Sequence, residues 1–274
     1  MSVSRIKTIT IVALLLINLF FGAVVAIDST EDIRIERQVI EYACAVMGSG
    51  GITVAPDAVI LHGAIRTMRT SRESGAEALI AQAVLGETVM TDLGVIVLYE
   101  NAERGTAEFY SAGDFEIRLN KGVITNERGA LRTVQELLGE MGLETASHTV
   151  SQNRGIETVT AIESYKGASI FNCATEFIFS DGSLETIIGR YVTGVEPAEG
   201  GAEITQVGTA LLGFLAWVRQ GNAECAHIDR VEAGYKHSVS GSFGEGAIAP
   251  AWLITAGADR YLIDDETGEI WPFA

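Results

Sequence analysis

From Ile9 to Ile27 the chain runs through 19 almost purely apolar positions, and no other feature so limits what it can become. Only Thr10 and Asn18 interrupt the run. As a helix it would span about 28 Å, close to the roughly 30 Å of a bilayer's hydrocarbon core. Arg5 and Lys7 precede it, whereas Asp28, Glu31 and Asp32 follow at once. Basic residues before a span hold that end in the cytoplasm. The run therefore predicts a single-pass anchor in the cell membrane, with the N-terminus cytoplasmic and everything after Ile27 extracytoplasmic. A cleaved signal peptide is the alternative, with Ile9–Phe21 as its apolar segment and Val24 and Ala26 at the small-residue positions. Both place the working part outside.

Asn18, Gly22 and Ala26 recur every four residues, so a helix lines them along one face. Small residues let a second membrane helix approach closely, and a buried amide can bond across the contact. These three are the candidate membrane-helix contact.

Charge then removes whole classes of partner. Two of the 19 Lys and Arg precede the run and all 36 Asp and Glu follow it, leaving the exported part at about −19. Nucleic acid and anionic headgroups both call for a basic patch. Nucleic acid is excluded as a partner on this ground. Cys44, Cys173 and Cys225 are odd in number, widely spaced and without a CxxC pair. They read as buried thiols rather than a disulfide framework, with one intramolecular bridge open to an exported protein.

After the run, a helix followed by strands recurs three times. Ile33, Ile40, Ala43, Cys44 and Met47 form a first apolar stripe ending at Gly48, Gly50 and Gly51. A strand Ile52–Val54 and a polar connector with Arg66, Arg69 and Arg72 lead to Ser74, which with Glu77 matches a capping box. That helix runs to Gly86, ahead of strands Val95–Tyr99, Ala107–Ser111 and Phe115–Leu119. Leu131, Val134, Leu137, Leu138 and Met141 make the next stripe, closed by Gly142, and four strands follow: Leu143–Val150, Ile156–Tyr165, Ala168–Phe179 and Leu184–Val192. Lys166-Gly167 and Asp181-Gly182 supply hairpin turns. A third helix, Leu211–Val218, precedes His227–Val239, Ile248–Thr255 and Arg260–Ile263, with a hinge expected at Glu196–Gly201.

Connectors this short do not accommodate crossover helices, so the expectation is α+β: antiparallel β-sheets each covered by helices on one face, after one N-terminal transmembrane helix. The expected layout is a cytoplasmic N-terminus (1–8), the anchor (9–27), an α+β unit with a juxtamembrane helix (28–125), a second unit (126–195) and a third (202–274).

Catalytic patterns are weak. His62, His148, His227 and His237 fall in strands or loops, and only Cys225 and His227 lie close enough in sequence to suggest shared metal ligation, where three or four ligands are needed. Ser240-Gly241-Ser242-Phe243-Gly244 fits a glycine loop better than a nucleophile elbow. Asp264, Asp265, Glu266 and Glu269 surround Thr267-Gly268 with the wrong spacing for a calcium loop and the right one for a β-turn. The reading assigns no catalytic, cofactor-binding or metal residue, no cofactor and no small-molecule substrate, and leaves open a pair of carboxylates that converge only in the fold.

Two stretches resemble known families. Ala249–Ile254, Tyr261–Asp264 and Thr267–Ile270 are similar to the closing hairpin of PepSY-type modules. Tyr165–Asn172, Ser180–Leu184 and Ile188–Arg190 resemble the middle of the YycH/YycI family, and the short basic N-terminus with one span matches that family's layout, YycI more closely. Residues 52–120 match only its general organisation. The YycI-like resemblance implies an extracytoplasmic accessory protein of the WalK/WalR cell-wall two-component system, without enzymatic activity. Its partners would be the sensor histidine kinase and a paralogous YycH-like protein, met through membrane helices. The terminal hairpin alone implies a PepSY-like inhibitor or chaperone of an extracellular peptidase or cell-wall hydrolase.

Overall fold

The computed structural model describes residue 35 and residues 37–239 and 245–273. The expected anchor at 9–27, with Asn18, Gly22 and Ala26, lies outside the described residues, as do residues 240–244 of the glycine loop. Among the described residues no helix is long and apolar enough to cross a membrane.

The elements run in order as α1 (residues 37–49), β1 (Thr53–Val54), a 3-10 turn at Pro56–Ala58, β2 (Val59–Ile60) and β3 (Met68–Thr70). α2 (Ser74–Leu85) precedes β4 (Val89–Asp92), β5 (Ile96–Asn101), β6 (Gly105–Tyr110) and β7 (Asp114–Leu119). α3 (Ala130–Met141) precedes β8 (Thr145–Asn153), β9 (Ile156–Tyr165), β10 (Ala168–Ser180) and β11 (Ser183–Arg190). After β12 (Glu196–Pro197), α4 (Val207–Arg219) and β13 (His227–Ile228) precede β14 (Arg230–Val239), β15 (Gly246–Ala256), β16 (Asp259–Asp264) and β17 (Ile270–Pro272). The chain is α+β. Each of α2, α3 and α4 is followed by a four-stranded antiparallel meander, β4–β7, β8–β11 and β14–β17.

Two compact units divide the chain. The first takes the residues up to Val59 together with Gln206–His227. In it Ala43 and Met47 of α1 are buried, as are Leu211, Phe214 and Leu215 of α4. Gly208 lies where a Cβ would touch Val39 and Ala43, and Gly50 where a Cβ would collide with the Leu215 methyls, so the two helices pack closely. The Thr53 N–H donates to the Ala226 carbonyl at 2.9 Å, and the Thr53 hydroxyl meets His227 Nδ1 at 2.8 Å.

The second unit takes Ile60–Thr205 and Ile228–Ala274. The first two meanders join through their last strands, β7 against β11 antiparallel, giving the order β8-β9-β10-β11-β7-β6-β5-β4. α2 and α3 share one hydrophobic cluster with this sheet, including Ile80, Leu85, Phe109, Phe115, Val134, Met141, Phe177 and Ile187. The core thus crosses the expected 125/126 boundary. α3 ends as its sequence predicts, with Gly142 left-handed at φ 72°. Three hairpins turn on consecutive positive-φ pairs: Arg154-Gly155, Lys166-Gly167 and Asp181-Gly182. Positive φ at both central residues is the turn whose twist matches antiparallel strands.

Several expectations are corrected. Ser74 caps nothing: Glu73 is the N-cap, no side chain bonds there, and Glu77 is fully buried and bonded to Arg72 instead. A tertiary ion pair outcompetes the local box. The arginine connector contains strand β3, and Arg72 is part-buried rather than solvated. The expected hinge at Glu196–Gly201 contains β12, which pairs with β3 at Glu196↔Arg69 and Pro197↔Met68. β4 went unread because all four of its residues are exposed, which leaves no alternation to detect. The sheet is also not wholly antiparallel, since β10 meets β14 in parallel at Ile170↔Tyr235.

Candidate functional site

The second unit organises itself around four residues that leave the end of β11. Arg190 pairs with Asp114 of β7 through two bonds of 2.8 and 3.0 Å. The Tyr191 hydroxyl donates to Glu77 of α2 at 3.0 Å, and its N–H donates to the Gly113 carbonyl. The Val192 N–H is shared by both carboxyl oxygens of Glu163 on β9, at 3.2 and 3.1 Å. The Thr193 hydroxyl donates to the Ser71 carbonyl just past β3, at 2.9 Å. Residues 190–193 are thus a hub tying four elements together.

Each tie has a local cause. Glu163 is available because β10 leaves its ladder: β9 and β10 pair as far as Ile162↔Ala174 and resume at Ser164↔Ser169, so Ile170–Cys173 oppose Glu163 alone. A bulge of this kind bends a strand and redirects its partners. The displaced segment joins β14, where Asn172 clamps His237 by donating to its carbonyl at 2.8 Å and accepting from its N–H at 2.7 Å. Glu77 holds Arg72 in a bidentate pair beside the Tyr191 hydroxyl. The Tyr191 ring meets Phe109 and Phe115 edge-on, with centroids at 6.0 and 5.7 Å.

Burial sets the electrostatics. It pushes the Glu163 carboxyl up to about 8, only partly offset by the Val192 N–H, so the group is mostly protonated at neutral pH. It drives Cys173 well above the thiol range, with the Glu163 charge adding to the effect. It also lifts the Tyr191 phenol, reinforced by Glu77. His237 is lowered to about 4 by burial first and Arg190 second, and its ring is neutral.

Two hollows flank the hub, both within this unit. One is a cleft of about 440 Å³ with Leu79, Ile80, Met141 and Leu143 as apolar walls and Glu163, Tyr165 and Lys166 as polar lining. The other, about 20 Å³, is lined by Thr70, Arg72, Ser111, Tyr191 and His237. The Thr70 hydroxyl and His237 Nδ1 are buried without a hydrogen-bond partner among the described residues.

A buried protonated thiol such as Cys173 lacks the thiolate that a nucleophile needs. Among the described residues no group of three or more His, Cys, Asp or Glu could hold a metal ion. Cys225 donates to the His227 carbonyl, and the exposed His227 ring meets Thr53 of β1. His62 lies 3.7 Å from Glu232, and His148 bonds Thr145. The acidic C-terminal cluster is a turn, as its spacing predicts: Asp264 accepts from the Glu266 and Thr267 N–H groups, and Gly268 has φ 72°. Burial would raise Asp264, but Lys236 at 2.7 Å and Thr267 outweigh it and hold the carboxyl below its usual range.

Sequence reading missed Glu163 and Tyr191 and misassigned Glu77. An acid inside an otherwise half-buried strand, Ile162-Glu163-Ser164, was the one available signal for the first.

No family model matches the chain, and no curated protein matches it. Among solved structures, an uncharacterized protein from Eubacterium rectale is similar at 9% identity with a TM-score of 0.52, covering 81% of this chain and 93% of that one. The likeness is one of fold. A Bacillus megaterium YpeB C-terminal domain aligns at 14% identity over 75% of this chain and 99% of that one, but with a TM-score of 0.38 it carries no argument.

Proposed function

We propose that this chain is a membrane-anchored extracytoplasmic regulator that acts by protein–protein contact on a cell-wall sensor histidine kinase. The observation that carries the reading is the order of its parts: an apolar run bounded by Arg5 and Lys7 on one side and acids on the other, then repeated helix-and-meander modules. The internal ion pairs support it. Arg72 is held by Glu77, Arg190 by Asp114 and Lys236 by Asp264, so each of these charges braces the scaffold. The YycI-like stretches fall on consecutive elements, Tyr165–Asn172 on the β9–β10 turn and Ser180–Leu184 on the β10–β11 turn. In this reading Asn18, Gly22 and Ala26 form the face that meets the kinase's membrane helix or a YycH-like paralogue.

A second reading, a PepSY-like inhibitor or chaperone of an extracellular peptidase or cell-wall hydrolase, draws on the terminal β15–β16–β17 meander and its Asp264–Gly268 turn. Affinity capture from membranes with the intact chain separates the two. Recovery of a sensor kinase, weakened by Asn18→Leu with Gly22→Ile, supports the first. Recovery of a secreted hydrolase supports the second and overturns the first.

A further inference from the structure

The two outer strands of the large sheet are counterparts, each opening its meander, yet they are finished very differently. β8 is polar along its edge: of its nine residues only Ala146 and Val150 are apolar. β4 is not. Val89 is 71% exposed and Met90 56%, and the turn that follows adds Leu93 at 62% and Val95 at 63%. Edge strands in stable monomers are blunted by charge, proline or cover, because an open edge offers a row of unpaired backbone groups. β8 offers a partner strand no apolar row, whereas β4 is short and bears one charge, Asp92, beside the exposed Val89 and Met90.

The geometry of β4 shows what such an edge can take. Its partner is β5, with Val89↔Glu100, Met90↔Tyr99, Thr91↔Leu98 and Asp92↔Val97. The Leu93 N–H donates inward to the Ile96 carbonyl. Backbone direction alternates along a strand, so Thr91 and Val89 also face β5, while Met90 and Asp92 turn their N–H and C=O groups outward. Among the described residues, no strand pairs with that side. Met90 and Asp92 share a face with Tyr99 and Val97, which are buried against the core, so an added strand would extend that face beyond one apolar and one acidic side chain. The third meander supplies an internal precedent: its opening strand β14 is covered by β10, running parallel.

Charge selects among occupants. Residues 86–103 hold Glu87, Asp92, Glu100 and Glu103 and no Lys, Arg or His. Pairing β4 with a second copy would bring a second set of the same acids to the edge and no base to meet them, whereas a segment with basic flanks would be drawn to them. We propose that the outer edge of β4 is a strand-addition site for an extended segment of another protein, apolar at alternate positions and flanked by basic residues. Main-chain bonds at Met90 and Asp92 give affinity, and Val89, Met90, Leu93 and Val95 give the side-chain contacts. The site does not depend on whether the partner is a kinase.

The test uses the full-length chain and a blocked heptapeptide of alternating valine and threonine between terminal lysines. Saturable binding should slow hydrogen exchange at the Met90 and Asp92 amides. Met90→Pro removes an outward N–H and no ladder bond, a placement proline tolerates on an edge. It should weaken the probe at least tenfold and leave the unfolding midpoint within a few degrees. Val89→Lys with Val95→Lys, which leaves the backbone intact, should do the same even if the proline variant folds poorly. A probe ended by glutamates should bind at least tenfold more weakly. Protection at β8 instead, undiminished binding by both variants, or no saturation at millimolar probe overturns the site. Equal binding of the glutamate-ended probe overturns the charge assignment. Self-association abolished by Met90→Pro replaces the partner with a second copy and overturns the heterologous one.

Discussion

Ile117 on β7 and Ile187 on β11 stand directly opposite each other across an antiparallel seam, and neither is exposed to solvent. Each belongs to the last strand of its own meander, so this pair joins two modules edge to edge beneath α2 and α3. Either Ile→Ala change should cost about 2–5 kcal/mol in denaturant unfolding, from lost burial and the cavity left behind. Because the two cavities would merge, the double variant should depart from additivity by more than about 0.5 kcal/mol. Strict additivity would mean that the seam relaxes independently on its two sides.

Glu77 and Ser74 make a second, contrasting pair. Ser74→Ala should change stability by no more than about 0.5 kcal/mol, as at an ordinary surface position. Glu77→Ala should cost about 3–5 kcal/mol, because it strands Arg72 without its carboxylate. Replacing both partners, Arg72→Met with Glu77→Leu, should recover at least half of that loss. Equal costs at Ser74 and Glu77 would restore the capping box.

Glu163 and His237 give stability a pH signature of opposite signs. Glu163 titrates near 8 when folded against an ordinary 4.5, so between those values the folded chain holds a proton that the unfolded chain has released. Its contribution is complete below 4.5 and is lost as pH rises through 8. His237 titrates near 4 against 6.5, so its contribution is complete above 6.5 and lost as pH falls through 4. The slopes oppose each other between 4.5 and 6.5; above that only Glu163 acts, by at most about 1.4 kcal/mol per pH unit. Urea unfolding at pH 6.5 and 8 should show the wild type losing stability and Glu163→Gln losing clearly less. Parallel losses would remove Glu163 from the account.

Asn172 replaces a stretch of backbone pairing between β10 and β14. Asn172→Leu keeps the branched shape but leaves the His237 N–H and C=O without their partners, at a cost of about 2 kcal/mol or more. The His237 amide should exchange with solvent markedly faster in the variant. Unchanged exchange would show that the two strands hold their register without the amide.

The readable parts of this fold were those set by neighbours in sequence. Lys166-Gly167 and Asp181-Gly182 specify their own turns, and the stripe from Leu131 to Met141 with Gly142 specifies both a helix and its end. What failed was set by distant residues. Ser74 and Glu77 satisfy a local rule that Arg72 and Tyr191 override. Ile170–Cys173 is an unbroken part of a strand in sequence, and nothing in its composition says that it changes partners there. The hub could not be read at all, since Asp114, Glu77, Glu163 and Ser71 meet residues 190–193 only once two meanders and β3 have assembled.

β10 has a thermodynamic consequence beyond the site it shapes. Phe177 and Phe179 lie in the core beneath α2 and α3, whereas Phe171, a few residues earlier on the same strand, lies in a separate core with Ala251, Leu253 and Leu262. A strand rooted in both cannot be withdrawn from one without loosening the other. The second unit therefore has no cheap partial opening along this line: its two cores should melt as one cooperative block, with calorimetric and van't Hoff enthalpies in agreement.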